Sequence, residues 1–105
     1  MASVVDPNNV TTTGTPQDLY TAPVGKEGVV TVYMTPRTAE STVSLYVVES
    51  GGTQGEEHAI VRDEVIPLNG TAQSTGIFIE DGDKIFFKTD TSSVDVMING
   101  YMKDV

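Results

Sequence analysis

Cysteine and tryptophan are absent from the 105 residues, and histidine occurs once. Without cysteine there is neither a disulfide framework nor a thiolate metal site, so packing or association must hold the chain together. Cations are scarce as well: six Lys and Arg stand against fifteen Asp and Glu, a formal charge of −9. Nucleic-acid binding needs clustered basic side chains that displace counterions, and these six are scattered. The same charge repels anionic membranes, and its ordinary meaning is a solvated surface. No stretch approaches the ~20 apolar residues of a membrane-spanning helix. The opening Met-Ala-Ser-Val-Val-Asp-Pro-Asn-Asn has no basic leader and no apolar run of secretory length. Synthesis in the cytoplasm without a Sec-type signal is therefore expected.

What is present points to strands. Hydrophobic residues make up 38% of the chain and aromatic residues only 7%, which predicts one thin, aliphatic core. The Val, Ile and Thr content suits a pleated surface, and no segment keeps helical spacing for more than a turn or two. Residues 1–16 are polar and interrupted by Pro7, Gly14 and Pro16. They read as an extended N-terminal arm, with room for one further strand, while residues 17–105 read as a single β-sandwich domain.

Turn signals recur every eight to twelve residues from Gln17 onward, the spacing of a sandwich or small barrel. A short run at residues 19–22 ends at Pro23. Residues 28–35 place Val30, Val32 and Met34 on one face and Val29, Thr31 and Tyr33 on the other. A strand apolar on both sides is either central or covered by a partner. Val43, Leu45 and Val47 alternate with Thr42, Ser44 and Tyr46, and a Gly-rich stretch at residues 50–57 predicts a mobile surface loop. Residues 58–66 have an ambiguous inward side, with Ile60 and Ile66 in phase. Asn69-Gly70 signals a turn. Ile77 and Ile79, then Ile85 and Phe87, then Val94, Val96 and Ile98 supply further buried faces. The expected fold is all-β: an antiparallel two-sheet sandwich, jelly-roll or immunoglobulin-like, of about seven or eight short strands.

Reactive chemistry is thin. Glu80-Asp81-Gly82-Asp83, with Asp90 and Asp95, has the composition of a calcium loop but not its spacing, so a polar turn is the better reading. His58 adjoins Glu56 and Glu57, yet nothing in the sequence places a nucleophile or an orienting partner beside it. Ser50 precedes two glycines without a nucleophile-elbow pattern. No catalytic, cofactor-binding or metal-ligating residue is assigned, and an enzyme is not expected. Tyr20, Tyr33, Tyr46 and Tyr101 fit subunit contacts better than a sugar-stacking platform.

From Leu19-Tyr20-Thr21-Ala22-Pro23-Val24-Gly25-Lys26 onward the chain resembles a group of small β-sandwich virion proteins of tailed bacteriophages. The likeness continues through Gly51-Gly52, Pro67-Leu68-Asn69-Gly70, Gly82-Asp83-Lys84-Ile85 and the closing strand at residues 94–100, and covers roughly residues 17–102. These are turn and strand residues, so the resemblance carries over no site residue. It implies a structural protein of the virion, located on the capsid surface. The favoured form is a decoration (cement) protein that binds the major capsid protein and stabilises the shell. A homo-oligomer, with a trimer favoured, is implied as well. The alternative is a head-fibre or tail-associated module that recognises host glycan through the loop at residues 51–57 and exposed tyrosines.

Overall fold

The computed structural model describes residues 2–105. Eight strands form: β1 (Ala2–Val10), β2 (Gln17–Thr21), β3 (Lys26–Pro36), β4 (Ser41–Val48), β5 (Ala59–Ile66), β6 (Ala72–Glu80), β7 (Lys84–Thr89) and β8 (Val94–Asp104). One 3-10 turn, Glu56–His58, precedes β5. Two four-stranded sheets result, ordered β1-β8-β3-β6 and β2-β7-β4-β5, with the strand pairs antiparallel. Only β4 and β5 are sequence neighbours that also pair; every other connection passes from one sheet to the other. That is the double Greek-key order of a jelly roll, and it decides against the immunoglobulin-like alternative.

Alternation along the strands explains why the layers close. Val30, Val32, Met34, Val94, Val96 and Ile98 point inward from one sheet, and Val43, Leu45, Ile85 and Phe87 meet them from the other. Phe87 is the single aromatic residue in this buried cluster, so the core is thin and aliphatic as composition predicts. β3 lies between β8 and β6, which makes it the internal strand that its two apolar faces imply.

Three expectations change. Residues 2–10 do not stand away as an arm: they pair with β8 along their whole length, from Ala2↔Met102 to Val10↔Val94. Val4 and Val10 turn inward, Val10 fully, which is enough for an edge strand that tolerates Pro7. Met1 lies outside the described residues. β5 is ambiguous in sequence because it is bulged. Asp63 takes φ of 51°, and register slips opposite Val43 and Leu45, so Ile66 is buried while Ile60 faces solvent. The Gly-rich stretch is not a free loop but folds back on β4, as described below.

Tight turns set the strand ends. Asp81 and Gly82 both have positive φ, 45° and 92°, and the Asp83 N–H returns to the Glu80 carbonyl at 2.9 Å. This is a two-residue turn of the kind that favours Asp-Gly. In Pro67-Leu68-Asn69-Gly70 the positive φ falls on Asn69, at 69°, and Gly70 N–H closes the turn onto Pro67.

Candidate interaction surface

The outer face of the β1-β8-β3-β6 sheet is the most unusual surface of the molecule. Register places Tyr101 of β8 beside Val29 of β3, and Val29 beside Phe78 of β6. These three side chains form one row across three strands and stay 60%, 50% and 53% exposed, respectively. With Glu27, Gly28 and Lys103 they line a shallow groove of about 460 Å³. A second groove, of about 410 Å³, lies on the same sheet around Pro7, Tyr33, Met97 and Arg37. Isolated apolar residues on a surface need no explanation, but a contiguous row of this kind makes this face the candidate contact site.

Charge is confined to the ends of this face. Glu27 stands between Glu80 and Lys103 in the cross-strand register at one end. At the other, Arg37 makes a two-pronged contact with Asp95, at 2.8 and 3.2 Å, and Asn9 also donates to Asp95 at 2.9 Å. An uncharged centre with a polar rim is the layout of a protein–protein interface.

The outer face of the other sheet is partly covered instead. Tyr46 and Val48 point away from the core, yet both are fully buried, and the stretch at residues 49–58 folds back over Tyr46. The Tyr46 hydroxyl donates to Glu56 Oε2 at 3.1 Å. Hydrogen bonding to Tyr46, with smaller help from Glu56 and Asp63, holds the Lys88 ammonium above its ordinary pKa. His58 locks the flap: its Nδ1 accepts the Gly55 N–H at 3.0 Å, which leaves Nε2 to donate to Glu49 Oε2 at 3.0 Å. Glu49 is pulled below the usual carboxylate range, first by a backbone N–H and then by His58. The partner of His58 is therefore Glu49, not its sequence neighbours Glu56 and Glu57. Tyr46, which the glycan-recognition alternative would expose, is sealed from any ligand.

The acidic cluster also has a structural task. Asp81 Oδ1 accepts the Gly25 N–H at 2.8 Å, while Asp83 accepts the Ser50 N–H and the Glu80 N–H, each at 3.0 Å. One turn thus ties together the β2–β3 connection and the start of the flap. Asp90 accepts the Thr42 N–H at 2.8 Å, and that bond, ahead of a smaller one from Thr91, lowers its pKa. Among the described residues no three His, Asp or Glu side chains are grouped to hold a metal ion. Tyr20 is half-buried, and burial followed by the nearby Asp6 charge pushes its phenol pKa up.

Of the four tyrosines expected at contacts, Tyr101 lies in the exposed row and Tyr33 lines the second groove, while Phe78, which completes the row, is not picked out by the sequence. The signal was available: Phe78 sits between the inward Ile77 and Ile79 and must face outward.

No family profile and no curated protein matches the chain. Solved structures do. A chain from Bacillus endospore appendages, described as a novel family of disulfide-linked pili, superposes with a TM-score of 0.64 at 13% identity, covering 99% of this chain and 88% of that one. A chain from infectious bursal disease virus, Gx strain, superposes with a TM-score of 0.52 at 11% identity; it covers 93% of this chain, which spans only 30% of the viral one. At these identities the likeness establishes the β-sandwich fold and nothing more.

Proposed function

We propose that this protein is a structural subunit that acts by assembly and performs no chemistry. In its finer form it is a decoration protein on a tailed-phage capsid, where it binds the major capsid protein and stabilises the shell. The observation that carries the first statement is the exposed Tyr101–Val29–Phe78 row, in register across three strands of a rigid sheet. Burial of such a face against a neighbour is favourable at roughly 25 cal/mol per Å² of apolar surface removed from water. Two solved chains with this fold come from assembled bodies, a pilus and a virus, which supports the reading. The capsid, the homo-oligomer and its trimeric form rest on the resemblance of the turn and strand residues to phage virion proteins. Repeated copies on a symmetric shell would add avidity to each weak contact.

Glycan recognition is the less favoured reading, because Tyr46 is buried and the flap at residues 49–58 is pinned by His58. A binding assay separates the two. Purified protein mixed with shells of the major capsid protein should cosediment with them in several hundred copies per particle. Retention on host-surface glycan, with no binding to shells, would replace decoration by recognition.

A further inference from the structure

β1 is one of four edge strands, with β2, β5 and β6, and it is lightly held by side chains. It is an outer strand with one neighbour, β8, and its inward positions read Val4, Asp6, Asn8 and Val10. Two of the four are polar, and Asn8 bonds only back to Asp6 within β1. Its side-chain ties to the rest of the sheet are exposed hydrogen bonds from Asn9 to Asp95 and Ser93. Among the described residues no ion pair involves β1. Val10 is buried in the core and Val4 packs against it; the rest of the hold is the backbone ladder with β8, which is specific for register rather than for which chain supplies the strand.

The segment that follows is built to swing. Residues 11–15 are exposed and Pro16 is half-buried; the Gly14 N–H donates to the Thr89 carbonyl at 2.9 Å, and the Gln17 side chain donates to the Thr15 and Pro16 carbonyls at 3.1 and 3.4 Å. Six extended residues span about 20 Å, matching the 19 Å shortest extent of the molecule. That reach suffices for a copy packed across the shortest dimension and not for one set along the 26 or 40 Å dimensions. Charge favours the move: residues 1–16 carry one charged side chain, Asp6, in a chain of net charge −9, so this segment can approach an acidic neighbour. β8, once vacated, would expose its backbone edge beside Val94, Val96 and Ile98, which are fully buried at home. The chain that fits this gap residue for residue is β1 of another copy.

We infer that β1 is exchanged between copies in the assembled state: residues 2–10 of one copy pair with β8 of the next in the same antiparallel register. The inference rests on the assembly reading and adds the link that joins neighbours. Exchange replaces each contact with an identical one, so it costs little once a second contact, such as the apolar face, brings copies together.

The absence of native cysteine makes a thiol test clean. Val5 and Asn99 face each other across β1 and β8, and both are exposed. The double variant Val5→Cys/Asn99→Cys, oxidised while dilute, should lock β1 onto its own β8. Loss of assembly on oxidation and its return on reduction is the expected result. In parallel, Val5→Cys and Asn99→Cys single variants assembled together should give a covalent chain pair on a non-reducing gel, and neither should do so alone. Full assembly of the locked protein, or mixed singles that assemble without a covalent pair, would overturn strand exchange and leave the assembly reading standing. Wild-type protein that stays monomeric at every concentration and on capsid shells would bring down both.

Discussion

Tyr46 on β4 points away from the core, yet its hydroxyl donates to Glu56 Oε2 at 3.1 Å and its ring is fully covered. The flap at residues 49–58 thereby covers part of one outer face of the sandwich. The opposite outer face has no such cover: Tyr101, Val29 and Phe78 stay exposed there.

Tyr46→Phe removes the hydroxyl and keeps the ring. The lost hydrogen bond should cost about 1 kcal/mol, a fall in Tm of roughly 4–8 °C for a domain near this size. Tyr46→Ala leaves a cavity under the flap and should cost about 3–5 kcal/mol. Thermal unfolding followed by circular dichroism measures both, and equal effects would mean that the flap does not pack on the ring.

How far this architecture is legible in sequence depends on the strand. β8 and β3 are plain, because Val94, Val96 and Ile98, and Val30, Val32 and Met34, alternate without interruption. β5 is not, since a bulge at Asp63 shifts the phase of Ile60 relative to Ile66, and periodicity counts residues without seeing the extra one. β1 reads as an arm because Pro7 and Asn8 mimic a linker; only the edge position makes them acceptable in a strand. The contact row is half legible. Tyr101 looks like a contact residue, but its alignment with Val29 and Phe78 depends on a strand order that no local pattern encodes.

Gly100 and Gly28 mark where β8 and β3 run too close for a side chain. A methyl at Gly100 would strike the Val29 carbonyl oxygen, on the backbone of the neighbouring strand. Gly100→Ala should therefore destabilise by about 1–3 kcal/mol. Urea denaturation tests this, and an unchanged midpoint would contradict the close approach.

Acid should weaken the fold through Asp90. Its folded-state pKa is depressed, chiefly by the Thr42 N–H, so its contribution is complete above the unfolded value near 4 and is lost as pH falls through the folded one. Tm should fall below about pH 4, and Asp90→Asn should flatten that part of the curve. Parallel profiles for the two proteins between pH 5 and pH 2 would remove Asp90 from the account.

The central claim is that the bare face of the β1-β8-β3-β6 sheet exists to be covered. Sedimentation velocity of the wild type and of Phe78→Asp/Tyr101→Asp across a range of concentrations tests it directly, because exposed sites of this kind alter stability by less than about 0.5 kcal/mol. The wild type should form larger species as concentration rises, while the variant remains monomeric with an unchanged Tm. Identical sedimentation of the two proteins, with the wild type self-associating as before, would contradict it.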